Sequence, residues 1–145
     1  MLVRELMSAP VVTVAADGTL RDAVGLFFEE DVGSVVIVEG AESRTPVGIL
    51  TARDVLRAAY DRGEPLSEIP ARSVGSSPLV TVEPDRTVGH AVDRMADAGV
   101  RHLPVVEDFD VVGILTITDV AAAYDEVRDE AMDLVGARAD WDEDD

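Results

Sequence analysis

The sequence contains no cysteine and no lysine, and each absence narrows what the protein can do. Without cysteine, disulfides, thiolate metal sites, the usual zinc ligand sets and cysteine nucleophiles are excluded. The 12 basic residues are all arginines and face 30 acidic residues, so the formal net charge is -18. Such a surface repels nucleic-acid phosphates and anionic lipid, and no basic patch in the sequence offsets it. We therefore expect neither a nucleic-acid partner nor a membrane-surface partner.

Long apolar runs are absent too. No stretch approaches the roughly 20 residues that a membrane-spanning helix needs, and no basic segment precedes an apolar run at the N-terminus. We therefore expect a cytoplasmic protein. With 145 residues and 47% hydrophobic composition, the chain can bury one compact core or two half-size repeats that share one.

The acidity has two interpretations. It can be a halophilic adaptation to a salt-rich cytoplasm, or an acidic docking face for a basic partner. We favour the first, because the acidic residues are spread along the chain and the lack of lysine resembles salt-adapted proteomes. Only residues 140–145 form an acidic run, which is typical of a solvated tail.

The chain contains an internal duplication. Residues 10–39 match residues 78–107 at a constant offset of 68, with 11 identities in 30 positions. After a loop that is three residues shorter in the second copy, residues 47–55 match residues 112–120 in 7 of 9 positions. We place the first repeat at 1–62, a linker rich in glycine and proline at 63–77, the second repeat at 78–125, and a helical extension with the acidic tail at 126–145.

Each copy predicts the order β-α-β-β-α. A short β run at residues 11–14 is followed by Thr19 at a helix N-cap position and by apolar residues at helical spacing over residues 20–28. The apolar, β-branched runs at 35–38 and 47–50 predict neighbouring strands covered on both faces. A second helix is expected after Thr51. The expected fold is therefore α+β, with helices packed on small sheets.

A Gly-apolar-apolar-Thr-x-x-Asp pattern ends each copy, with Thr51 and Asp54 in the first and Thr116 and Asp119 in the second. A Thr-x-x-Asp sequence at a helix start is typical of a capping box. Exposed N–H groups at a helix start also bind anions, and a carboxylate such as that of Asp54 can accept hydrogen bonds from two ribose hydroxyls. The two roles are compatible.

This pattern resembles the ribose-phosphate motif of cystathionine-beta-synthase-type (CBS) repeats, and the openings at residues 7–13 and 76–81 look like those of the same family. The resemblance covers about residues 1–125. It implies a CBS pair, or Bateman module, whose repeats pack about a pseudo-twofold axis and leave two clefts. Each cleft would take threonine and aspartate from one copy and an adenine-facing strand from the other.

Carried over to this chain, the resemblance implies two unequal ligand-binding sites. The first would combine Thr51, Arg53, Asp54, Leu79, Val80, Thr81, Arg101 and His102. The second would combine Thr116, Thr118, Asp119, Val11, Val12, Thr13, Gly33 and Ser34. Only the first contains arginines and a histidine, which can bind a phosphate. We expect it to prefer a phosphorylated adenosine, and the second site to be empty or to hold a less anionic ligand.

A regulatory module, and not an enzyme, is the function that the resemblance implies. The sequence has no Ser-His-Asp or Cys-His arrangement and no GxxxxGK phosphate loop. The expected ligand is AMP, ADP, ATP or S-adenosylmethionine, with no obligatory cofactor and no metal. CBS pairs commonly associate into dimers, so the resemblance implies a homodimer. We expect no attached enzyme or transporter domain, and therefore expect the module to act in trans on an unknown protein partner. The alternative is a ligand-independent dimerisation or scaffold module, in which the motifs serve only as caps.

Overall fold

In the computed structural model, which describes residues 1–75 and 79–124, the two copies form two small sheets flanked by helices. The elements are, in chain order, α1 (Val3–Leu6), β1 (Thr13–Ala15), α2 (Leu20–Glu29), β2 (Ser34–Val38), β3 (Pro46–Thr51), α3 (Ala52–Arg62), α4 (Val88–Ala98), β4 (His102–Glu107) and β5 (Asp110–Thr116). Two 3₁₀ turns, Leu66–Glu68 and Ala71–Ser73, join α3 to the second copy, and residues 117–124 are helical. The expected α+β fold is confirmed. The expected C-terminal extension and acidic tail lie outside the described residues.

Strand β2 is the centre of the first sheet, and both of its faces are buried. It pairs in parallel with β1 and antiparallel with β3. Because side chains alternate along a strand, Val35 and Ile37 enter the core beneath α2 and α3, whereas Val36 and Val38 point to the opposite face. There they pack against Val111 of β5, so this strand joins the two repeats. The continuous apolar run that predicted a strand covered on both faces is explained by this contact.

The duplication extends to the register of the strands. Ser34 pairs with Thr51 between β2 and β3, and His102 pairs with Thr116 at the equivalent place between β4 and β5. The second copy departs from the first at its opening strand, which is reduced to a single bridge that joins Val82 to β4. Each copy therefore presents the Thr of its motif beside the first residue of the neighbouring strand.

The packing crosses the repeat boundaries expected from the sequence. Val3 of α1 is fully buried in the core of the second repeat, and its N–H donates to the carbonyl of Arg86 at 2.8 Å. In the linker, Ile69 is fully buried in the core of the first repeat, and its carbonyl accepts the N–H of Leu20 at 2.9 Å. The two repeats therefore form one structural unit. The boundaries expected at residues 62 and 77, which separate the first repeat, the linker and the second repeat along the chain, remain a prediction.

Two negative findings concern the described residues, 1–75 and 79–124. No helix there has the length and apolar character that crossing a membrane requires. No group of three or more histidine, aspartate or glutamate side chains in the same part of the chain could hold a metal ion.

Candidate functional site

Both Thr-x-x-Asp motifs form complete capping boxes. The Thr51 hydroxyl accepts the Asp54 N–H at 3.2 Å, and Asp54 Oδ2 accepts the Thr51 N–H at 2.9 Å. In the second copy the same two bonds join Thr116 and Asp119 at 3.1 and 3.3 Å. The capping interpretation is confirmed, and it engages one oxygen of each carboxylate. The other oxygen, and the threonine O–H as a donor, are compatible with a ligand role.

A third capping box lies away from both motifs. Thr19 and Asp22 at the start of α2 make the same pair of bonds, at 3.2 and 2.9 Å. Asp22 is exposed and lines neither of the clefts described below, whereas Asp54 is half-buried. The two boxes therefore make the same bonds, and the environment of the carboxylate distinguishes Asp54 from Asp22.

A cleft of about 590 Å³, the larger cleft, opens at the start of α3. Its lining consists of Gly33, Ile49, Thr51, Ala52, Arg53, Asp54, Gly99, Val100, Arg101 and His102. The structure thus brings together five residues of the first expected site: Thr51, Arg53, Asp54, Arg101 and His102. The other three, Leu79, Val80 and Thr81, are half-buried and do not line it, and Val80 packs against the core of the second repeat.

A second cleft of about 150 Å³, the smaller cleft, lies beside the second motif. Its lining consists of Ser8, Pro10, Val11, Val12, Val32, Gly33, Ser34, His102, Ile114, Thr116 and Asp119. Six residues of the second expected site are therefore together: Val11, Val12, Gly33, Ser34, Thr116 and Asp119. Thr13 is engaged in β1 and Thr118 is exposed on the following helical segment, and neither lines the cleft.

Several lining residues were not predicted from the sequence, although two of them are identical in the two copies. Val32 lines the smaller cleft and Val100 lines the larger one, and the two are identical residues at the offset of 68. Each follows the first helix of its copy. Comparing the copies for identities outside the motif would have selected both positions. Ile49 and Ile114, in contrast, could not be distinguished in the sequence from other apolar strand residues.

The larger cleft carries positive charge in a strongly acidic chain. Arg53 and Arg101 are exposed there, and among the described residues neither is paired with a carboxylate, whereas Arg4, Arg62 and Arg86 are. In the other copy, Thr118 and Gly33 are the residues that match Arg53 and Arg101, and the described lining of the smaller cleft contains no arginine. The two clefts therefore differ in charge as well as in volume.

His102 occupies a half-buried position at the beginning of β4. Its Nδ1 is buried and has no hydrogen-bond partner among the described residues. Burial lowers the pKa of His102 from its usual value of 6.5; the carboxylates of Asp54 and Asp119 raise the pKa, and the guanidinium of Arg101 lowers it, with a net decrease. The imidazole is therefore mainly neutral near pH 7, with one nitrogen that donates and one that accepts.

Comparisons with known proteins identify one family. The model of the CBS domain matches residues 3–61 and 71–126. An uncharacterized protein of Methanopyrus kandleri is 37% identical over 119 residues, which cover 81% of this chain and 60% of that protein. The chain spans about three fifths of the length of the first curated relatives that it matches.

Two solved structures extend the comparison to the fold. The CBS domain pair of protein MJ0100, solved in complex with 5′-methylthioadenosine and S-adenosyl-L-methionine, has a TM-score of 0.78 at 24% identity and covers 87% of this chain and 97% of that one. The CBS domain protein PAE2072 of Pyrobaculum aerophilum, complexed with AMP, has a TM-score of 0.75 at 29% identity, with 82% and 89% of the two chains covered.

Proposed function

This chain belongs to the CBS-domain family, and we propose that it is a regulatory module that binds an adenosine-containing ligand in its larger cleft. The observation that carries the proposal is the composition of that cleft, in which Thr51 and Asp54 of one repeat lie opposite Arg101 and His102 of the other. The AMP complex of the similar Pyrobaculum protein supports the ligand class. The family model that matches describes CBS domains, and the proposal includes no catalytic step.

The proposed contacts follow from the free hydrogen-bonding capacity of the capping box. Asp54 uses Oδ2 for the cap, which leaves Oδ1 to accept hydrogen bonds from ribose hydroxyls. The same negative charge repels a phosphate, so the carboxylate selects the sugar. The Thr51 hydroxyl accepts the cap N–H and can still donate to a phosphate oxygen. A nucleotide therefore fits with its ribose at Asp54 and its phosphate displaced toward the arginines.

Positive charge makes the larger cleft the proposed site for a phosphorylated ligand. Arg53 and Arg101 come from different repeats, and each guanidinium can bind two phosphate oxygens as a fork. Burial lowers the pKa of His102, and the negative charge of a bound phosphate would raise the pKa again; the imidazole can donate an N–H to the phosphate in either protonation state. The smaller cleft offers a bound phosphate no arginine from its described lining. We therefore assign AMP, ADP or ATP to the larger cleft ahead of an uncharged adenosine.

The regulatory step in this proposal is a change in the relative orientation of the repeats. A ligand between Asp54 and Arg101 touches both copies, so it stabilises whichever orientation binds it more tightly. The difference in the ligand's affinity for the two orientations limits the size of the shift. A protein partner in trans would bind the surface that this change in orientation alters.

Assembly into a homodimer is part of the proposal. Leu56 and Tyr60 are 71% and 90% exposed on α3, and their spacing of four residues places them on one helix face. Phe28 is 81% exposed at the end of α2, which packs against α3. Large exposed apolar side chains are typical of association surfaces. These residues support a helix-mediated contact with a second copy.

The test is a melting experiment with AMP, ADP, ATP and S-adenosylmethionine, carried out in concentrated potassium chloride because of the acidic composition. A ligand that binds only the folded state adds about 2.7 kcal/mol to the free energy of unfolding at 100 times its Kd. We expect at least one nucleotide to raise the Tm of the wild type. Asp54→Ala should abolish that increase, and the matched cap variant Asp119→Ala should retain it. If no ligand raises the Tm, the scaffold alternative replaces this proposal.

A further inference from the structure

The side chain of His102 borders both clefts. It belongs to the lining of the larger and of the smaller cleft, as Gly33 also does. Its charged neighbours come from both sides, since Asp54 of the larger cleft and Asp119 of the smaller cleft both act on the imidazole. One residue of β4 therefore forms a wall that the two cavities share.

The equivalent residue of the first copy is much smaller. Ser34 and His102 are related by the offset of 68, and each opens a strand and pairs with the threonine of a motif. Ser34 stands beside Thr51, whose cleft measures about 590 Å³. His102 stands beside Thr116, whose cleft measures about 150 Å³. The residue paired with the motif threonine is thus a serine in the first copy and a histidine in the second. Ser34 lines only the smaller cleft, whereas the larger His102 side chain lines both.

We propose that the His102 side chain closes the smaller cleft to a nucleoside, so that one chain takes one adenosine-type ligand. Ligand pockets usually enclose about 300–1,000 Å³, a range that includes the larger cleft and excludes the smaller one. Its remaining lining keeps the residues that a nucleoside would use, including Thr116 and Asp119 with their capping box. The clefts also differ in charge, but the size of the His102 side chain, and not the loss of the motif, is what closes the smaller one to a nucleoside. The inference rests on the proposed function, because it takes the larger cleft as the ligand site.

Replacing the His102 side chain should cost little hydrogen bonding. The Nδ1 atom of His102 has no partner among the described residues, so a substitution breaks no hydrogen bond of that atom. His102→Ser places in the second copy the residue that the first copy has at position 34. A serine is already buried at that position beside Thr51, in the same strand register. The variant should therefore fold with the smaller cleft open.

The test measures the number of AMP molecules bound per chain by calorimetric titration in concentrated potassium chloride. We expect one equivalent for the wild type and two for His102→Ser, with AMP in sufficient excess to saturate sites weakened by loss of the imidazole. Because the described lining of the smaller cleft contains no arginine, the titrations are repeated with adenosine, and a second equivalent of either ligand identifies an open smaller cleft. His90→Ser is the control, since His90 lies on α4 and lines neither cleft; it should bind one equivalent. Adding Asp119→Ala to His102→Ser should remove the second equivalent and leave the first.

Each result has a distinct meaning. Two equivalents bound by the wild type, or a single equivalent of both AMP and adenosine bound by a folded His102→Ser variant, would overturn the shared wall and leave the proposed function intact. If the wild type binds no AMP, the proposed function fails; a new site in His102→Ser then still supports the wall, and none overturns it. If the serine variant does not melt cooperatively, His102→Asn replaces it, with the same expectation of a second equivalent.

Discussion

Replacing Asp54 with alanine separates capping from ligand binding, because the chain contains a matched capping box at Asp22. The two boxes make the same pair of bonds, at 3.2 and 2.9 Å, but only Asp54 lines a cleft. Each capping interaction contributes about 0.3–1.5 kcal/mol, so both variants should lose stability in that range. For a domain of this size, each kcal/mol corresponds to about 2–4 °C in Tm.

The response to ligand should differ between the two variants. At 100 times the wild-type Kd, a nucleotide adds about 2.7 kcal/mol to the free energy of unfolding of the wild type and of Asp22→Ala. Loss of two ribose hydrogen bonds to the Asp54 carboxylate, each worth about 1.5 kcal/mol or more, weakens the Kd by at least about 100-fold. The same ligand concentration then adds less than about 0.5 kcal/mol to Asp54→Ala.

The measurement is a denaturant titration of wild type, Asp22→Ala and Asp54→Ala, each with and without the nucleotide. Subtracting the ligand-free curve of each variant removes the contribution of the cap. A ligand increment in Asp54→Ala equal to that in Asp22→Ala would refute the reasoning, because it would mean that Asp54 is only a capping residue.

Three further predictions concern pH, packing and assembly. Burial lowers the pKa of His102 in the folded state below its unfolded value of 6.5, so the unfolded chain binds more protons than the folded chain between the two pKa values. The free energy of unfolding should therefore rise with pH up to about 6.5. In denaturant titrations, His102→Ser should lack this part of the increase. Gly113→Ala should lower the Tm, because the added Cβ would lie 2.9 Å from the carbonyl oxygen of Ser8. The Cβ of Gly25→Ala in α2 meets nothing within 4 Å, so this variant should raise the free energy of unfolding by about 0.5–1 kcal/mol. Equal Tm values for the two variants would contradict this packing. Leu56→Asp should convert a dimer to a monomer in light scattering, and a monomeric wild type would refute the α3 contact.

The part of the fold that repeats in the sequence could be predicted from it. Helix α2 begins after Thr19 and α3 after Thr51, as capping and apolar spacing indicated, because these signals are local. The crossing of α1 onto the second repeat was not predicted. Four residues of helix carry little periodicity, and the burial of Val3 depends on a core that runs from Val82 to Leu115, far along the chain.

In the candidate site, too, the local features could be predicted from the sequence and the long-range contacts could not. Residues on the motif side could be placed from spacing alone, since Thr51 and Asp54 occupy fixed positions at a helix start. The opposite walls depend on how the repeats pack. The expected contribution of Thr81 to the larger cleft is absent from its lining, and the position of His102 between both clefts could not be read from a sequence that shows it only at the start of an apolar run.

The most direct test of the central claim is a crystal structure of the protein grown with AMP. We expect one nucleotide per chain in the larger cleft, with the ribose hydroxyls at Asp54 and the phosphate between Arg53 and Arg101. AMP bound at Asp119 with the larger cleft free of nucleotide, or ribose hydroxyls turned away from Asp54, would contradict it.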